Sequence, residues 1–130
     1  MSRDLLELME QSERDGGIWL EDVPADKLVE VDTQNGIYRI AAIDAATGLV
    51  AVDSTGPIIT TSALWRLVGS TFGGSAIRLR WIGINMHLEL WSVAEPRQVL
   101  TTSSIRTIRF LDQPEKAKEL IEAANKNIPR

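Results

Sequence analysis

The chain has no cysteine, a single histidine and, between Lys27 and Lys116, no lysine at all. Without cysteine there is no disulfide framework, no thiolate nucleophile and no sulfur-based metal site. His87, the one imidazole, is a poor start for a metal centre, which needs several converging ligands. It is also the sole histidine on which general acid–base catalysis could be built. No GxSxG or SxxK motif surrounds the serines and threonines. The glycine-rich GSTFGGS at 69–75 runs into a strand pattern, whereas a phosphate cradle needs a helix to follow. No apolar run approaches the roughly 18 residues of a membrane span. The opening MSRDLLELMEQSERD is too acidic and polar for a targeting peptide, so a cytoplasmic protein without a membrane partner is expected. These absences also argue against an enzyme and against a cofactor or bound metal.

What is present is one domain's worth of ordinary globular composition: 130 residues, 44% hydrophobic and 25% charged. The net charge of −4 is unevenly spread. Residues 1–32 carry −7, residues 33–111 carry +3 with arginine as the only base, and residues 112–130 are balanced. An acidic helix lying on its own mildly basic body accounts for such asymmetry, as do nucleic-acid binding and self-complementary assembly.

The most regular stretch is AIRLRWIGINMHLELW, residues 76–91. Ile77, Leu79 and Trp81 alternate with Arg78 and Arg80, and after Gly83 the apolar phase shifts to Ile84, Met86, Leu88 and Leu90. Alternation at period two predicts strands with one buried face. A phase change at glycine predicts a tight turn at Gly83-Ile84, and hence a hairpin. Its register would pair Trp81 with Met86, Arg80 with His87, Leu79 with Leu88, and Arg78 with Glu89 as a cross-strand ion pair.

Upstream, residues 28–54 read as a β-meander. Leu28–Val31 leads through Gln34-Asn35-Gly36 into Ile37–Ile43, and a loop ending in a Gly48 bulge returns through Leu49–Asp53. The register predicts Ile43 opposite Leu49, Ile40 opposite Val52 and an Arg39/Asp53 ion pair. Both faces are apolar, so this hairpin should lie deep. Ile18-Trp19-Leu20 reads as a short strand anchoring the N-terminal connection. Segments 58–67 (IITTSALWRL) and 99–108 (VLTTSSIRTI) resemble each other at an offset of 41 residues. With a hairpin upstream of each, they suggest two copies of a hairpin-plus-strand unit of about 40 residues. The Thr-Thr-Ser side chains should satisfy nearby backbone groups at strand corners.

Helices are expected only at the ends. Residues 2–14 carry Leu5, Leu6, Leu8 and Met9 as an apolar stripe among acids. Residues 113–126 present Ala117, Leu120, Ile121 and Ala124, with Asp112 as N-cap and Pro114 in the first turn. The fold class is thus mainly β (α+β): a single small antiparallel barrel or strongly curved sheet over residues 28–110, with short terminal helices.

The functional expectation is a non-catalytic binding or assembly module, a homo-oligomer or one half of a protein–protein pair. Its candidate surface is the polar side of the 76–91 hairpin: Arg78, Arg80, His87, Glu89 and Trp91. Exposed aromatics beside charges of both signs suit protein contacts. The main alternative is a single-stranded nucleic-acid binder using the arginines at 66, 78, 80, 106 and 109 with interleaved tryptophans. A small-ligand receptor or enzyme centred on His87 is the third.

Overall fold

The computed structural model describes residues 5–55, 63–73, 76–95 and 97–126. Helix α1 (Leu5–Asp15) leads into β1 (Gly17–Trp19) and a 3₁₀ turn at Leu20–Asp22. Then come β2 (Leu28–Thr33), β3 (Gly36–Asp44), β4 (Leu49–Ser54) and β5 (Ala63–Thr71). The rest comprises β6 (Arg78–Leu79), β7 (Trp81–Gly83), β8 (His87–Ser92), β9 (Val99–Leu111) and α2 (Pro114–Lys126).

Six of the strands form a ring. They hydrogen-bond antiparallel in the order β4-β3-β2-β9-β8-β5, and the N-terminal half of β5 pairs back onto β4. Closure removes the unpaired edges that an open meander exposes. Where β4 leaves β5, β6 takes its place through Gly69–Leu79 and Ser70–Arg78. Strands β1 and β7 make a separate two-stranded ribbon. The expected small antiparallel barrel with terminal helices is therefore observed. No helix among the described residues is long and apolar enough to cross a membrane.

The period-two pattern of each strand explains the layers. Val29, Val31, Ile40, Val50, Val52, Leu67, Leu88, Leu90 and Ile105 are fully buried in one cluster. Leu8 of α1, Ile18 of β1, Leu20 just after it, and Ile82 of β7 belong to the same cluster, so helix and ribbon extend the barrel's own core. Alternate residues Leu28, Ala41, Ala51 and Leu64 form a second cluster with Ala117, Leu120 and Ala124 of α2. This is why both faces of the 37–53 hairpin are apolar: one packs within the ring and the other lies under the C-terminal helix. The small Ala41 and Ala51 let the helix approach, and each buried aliphatic contributes about 1.5–3 kcal/mol.

The meander register is as expected from Arg39–Asp53 to Ala42–Val50, and Gly48 adopts the left-handed φ of 80° that a glycine bulge uses. One pair differs. Asp44, not Ile43, stands opposite Leu49, so Ile43 falls in the irregularity and turns outward. Helix α1 also departs from expectation. It buries Leu8 and Ser12 and half-buries Leu5, while Leu6 and Met9 face solvent. Residues 2–4 and the first Thr-Thr-Ser at 60–62 lie outside the described residues.

The hairpin predicted over residues 76–91 does not form, and the reason is local. Arg80 has a left-handed backbone with φ of 59°, which divides the alternating run into β6 and β7. β6 stays on the barrel, whereas β7 pairs with β1, matching Ile18 to Ile82 and Trp19 to Trp81. The turn sits one residue later than expected. The Met86 amide donates to the Gly83 carbonyl at 3.2 Å, and Asn85, not Gly83, takes the positive φ of 67°. Strand β8 then pairs with β5 and β9. Burial of Trp81, Met86, Leu88 and Leu90 follows the alternation, but Leu79 is exposed.

Candidate functional site

The five residues expected to share one surface fall into two places. His87, Glu89 and Trp91 alternate along β8 with buried Leu88 and Leu90, so they lie on the outer side of the barrel wall. Arg78 and Arg80 belong to the passage from β6 to β7.

Neither cross-strand partner predicted for Arg78 and Arg80 is found among the described residues. Across the barrel wall Glu89 stands opposite Gly69 and Thr101, and its carboxylate accepts a hydrogen bond from the Trp91 indole at 3.2 Å. Arg80 does not face His87. Its guanidinium donates to the carbonyls of Leu67 and Val68 at 3.0 and 3.2 Å, close over Gly48. The His87 Nδ1 lies 2.8 Å from the Thr102 carbonyl. A carbonyl only accepts, so that nitrogen carries the proton and the ring is a cross-strand tie. Thr102 is equally occupied. At the bulge between β8 and β9 its hydroxyl accepts the Leu88 amide at 3.0 Å and donates to the Ser103 carbonyl at 2.8 Å. The second Thr-Thr-Ser segment thus serves the backbone, as expected.

Two outward ion pairs share one row across β9, β2, β3 and β4. Arg109 Nη2 lies 2.9 Å from Glu30, and Arg39 meets Asp53 through two hydrogen bonds of 2.9 and 3.1 Å. Glu30 pairs in register with both Arg109 and Arg39, so charge alternates along the row. The predicted Arg39/Asp53 pair is present. It belongs to a structural ladder that also borders α2 at Lys116 and Glu119.

Two features remain without a purely internal explanation. The first is on the outer wall. Trp91 is 47% exposed and stands in register between Arg66 of β5 and Val99 of β9, itself 52% exposed. Helix α2 packs over β2, β3, β4 and β5, leaving this apolar row uncovered.

The second lies beside the ribbon. Trp19 and Trp81 meet edge to face, with ring centres 4.7 Å apart. The Arg78 guanidinium sits 4.2 Å from the Trp81 ring centre and 4.7 Å from that of Trp19. Next to this stack opens a cleft of about 610 Å³, whose walls include Phe72, Ile77, Trp81, Ile84 and Met86. Sequence reasoning placed Trp81 and Arg78 on opposite faces of one strand and so missed their stacking. The left-handed turn at Arg80 rotates the strand between them, and nothing in an arginine announces that conformation. Elsewhere among the described residues, no three histidine or carboxylate side chains gather as metal ligands would.

Compared with models of known protein families, with curated proteins and with solved structures, the chain gives no match.

Proposed function

We propose that this protein is a non-catalytic binding and assembly module that self-associates through the outer wall of β8 and β9. The observation carrying this reading is the cross-strand row Arg66–Trp91–Val99, apolar at its centre and left bare by α2. A half-exposed tryptophan beside an exposed valine is the kind of side chain on which interface energy concentrates. Charge supports a second copy as the occupant. Arg66 lies across from Trp91 on β5, and Glu89 lies two residues along β8. A two-fold axis near Trp91 would bring the arginine of one copy toward the glutamate of the other, the self-complementarity that an isologous contact needs. A cytoplasmic setting suits a cysteine-free module of this kind.

The nucleic-acid alternative has less behind it. Arg39 and Arg109 are paired with acids, and Arg66 and Arg80 donate to carbonyls. The Trp65 and Trp81 rings are buried, and the Trp19 and Trp81 ring faces already carry Arg78.

Light scattering after size exclusion tests the proposal. A particle of about twice the 14.4 kDa chain mass is expected, reverting to monomer in Trp91→Glu and in Val99→Asp with unchanged circular dichroism. A wild-type monomer at high micromolar concentration, indifferent to salt, overturns it. Salt-dependent retention of a single-stranded oligonucleotide, lost in Arg78→Ala and Arg80→Ala, would install the alternative instead.

A further inference from the structure

We propose that the cleft beside the ribbon is a binding site for a small apolar anion, a carboxylate carried on a hydrocarbon body. At about 610 Å³ the cleft is within the usual range for small-molecule sites, and like them it is walled by apolar side chains with few polar groups. Phe72 is 75% exposed on one wall, and Ile77, Ile84 and Met86 continue the lining. A large aromatic held in water gains little unless something covers it.

The polar groups in the cleft sort themselves by what they already bind. The Ser70 hydroxyl is used up, donating to the Trp81 carbonyl and accepting the Gly83 amide. The Asp15 carboxylate is held by the Arg14 guanidinium at 3.2 Å. Of the two charged residues lining the cleft, Arg78 has no acidic partner among the described residues; its guanidinium is held over Trp81 and Trp19. Stacking holds a guanidinium by its face and leaves the N–H groups along its edge to fork a carboxylate. The cation is thus placed before a ligand arrives, which lowers the ordering cost of binding. A neutral hydrocarbon would use only the walls, and a compact inorganic anion only Arg78. An anionic amphiphile uses both.

This site lies apart from the β8–β9 wall and does not depend on self-association. The probes are dodecanoate, kept below its micelle concentration, and the neutral dodecanol, titrated against intrinsic tryptophan fluorescence and by calorimetry. Saturable dodecanoate binding with a shift in tryptophan emission is expected, at least about tenfold tighter than dodecanol, as a charge-assisted hydrogen bond implies. Arg78→Met should remove that preference and leave dodecanol unchanged. Because Arg78→Met also removes a stacking contact, Phe72→Ser serves as the second variant; its side chain is too exposed to support the core, and it should weaken both probes. No saturable binding by the wild type, equal affinity for acid and alcohol, or unchanged dodecanoate affinity in folded Phe72→Ser would each overturn the proposal.

Discussion

The carbonyl of Arg80 accepts the Leu20 amide at 2.8 Å, joining the passage between β6 and β7 to the chain just after β1. On its other side the Arg80 amide donates to the Val68 carbonyl at 2.9 Å. One residue therefore holds both the barrel and the ribbon, and it does so with φ of 59°. For a residue with a Cβ, a left-handed backbone costs roughly 1–2 kcal/mol, which glycine avoids. Arg80→Ala and Arg80→Gly both lose the guanidinium bonds to Leu67 and Val68, but only glycine relieves the backbone. Arg80→Gly should therefore be more stable than Arg80→Ala by about 1 kcal/mol in urea unfolding. Equal stability, or a worse glycine variant, would mean that the turn is not held in this conformation.

The same residue marks the limit of what could be read from the sequence. The 28–53 meander was legible because its turns are announced locally. Gln34-Asn35 and Gly48 supply the turn residues, although Gly36 already begins β3 opposite Thr33 and takes no positive φ, and strand pairing follows from adjacency in the chain. Its single slip, at Ile43, came from a bulge that displaces one residue without changing composition. Over residues 76–91 the alternation identified burial on β8 correctly, yet period two specifies faces and not partners. The partner of β7 is β1, far back in the chain, β8 pairs with β5 and with the next strand β9, and the break that sets this arrangement is an arginine. Asn85 was a readable signal, since asparagine tolerates positive φ. The glycine two residues earlier offers the same backbone freedom and so points to a different turn position. For the candidate site, the outward positions of His87, Glu89 and Trp91 were legible from the strand pattern. The Trp19–Arg78–Trp81 stack was not, because it joins strands from two separate sheets.

Ser70 is the buried hinge pin between the barrel and β7. It is fully buried, and its hydroxyl serves both the Trp81 carbonyl and the Gly83 amide. Removing it leaves the buried backbone groups it serves without that partner, and an unsatisfied buried group costs about 1–3 kcal/mol. Ser70→Ala should lower unfolding free energy by that amount with an unchanged denaturant slope, and should speed hydrogen exchange in residues 81–83. A loss below about 0.5 kcal/mol would show that the bridge contributes little.

Gly16 and Gly17 are adjacent, yet they are needed for different reasons. Gly16 has φ of 72° with open space around its Cα. Alanine there should cost only the left-handed backbone term, about 1–2 kcal/mol. At Gly17 a Cβ would land on the Ile82 carbonyl oxygen and 2.7 Å from the Trp81 ring. Gly17→Ala should therefore push β1 off β7 and disturb the Trp19–Trp81 contact. The distinguishing readout is near-ultraviolet circular dichroism: Gly16→Ala retains the native tryptophan signal and Gly17→Ala loses it. Identical spectra would contradict the close ribbon packing.

Stability should fall in alkali. The Lys27 ammonium is 2.9 Å from Asp112 and 3.5 Å from Asp26, tying the start of β2 to the approach of α2. The hydrogen bond it donates to Asp112 raises its pKa above the ordinary 10.5, although burial works the other way. Burial raises the Tyr38 phenol above its ordinary 10.0. Each folded value is higher than the unfolded one, so the folded state holds its proton more tightly. The corresponding stability is fully present below about pH 10 and is lost as pH rises through the folded values. Lys27→Arg keeps a cation that does not titrate in this window, and Tyr38→Phe removes the phenol; together they should flatten the alkaline decline. Tyr38 is the only tyrosine in the chain, so the tyrosinate absorbance of the folded protein reports it directly. A midpoint at or below that of free tyrosine would show that the barrel interior admits water to this phenol.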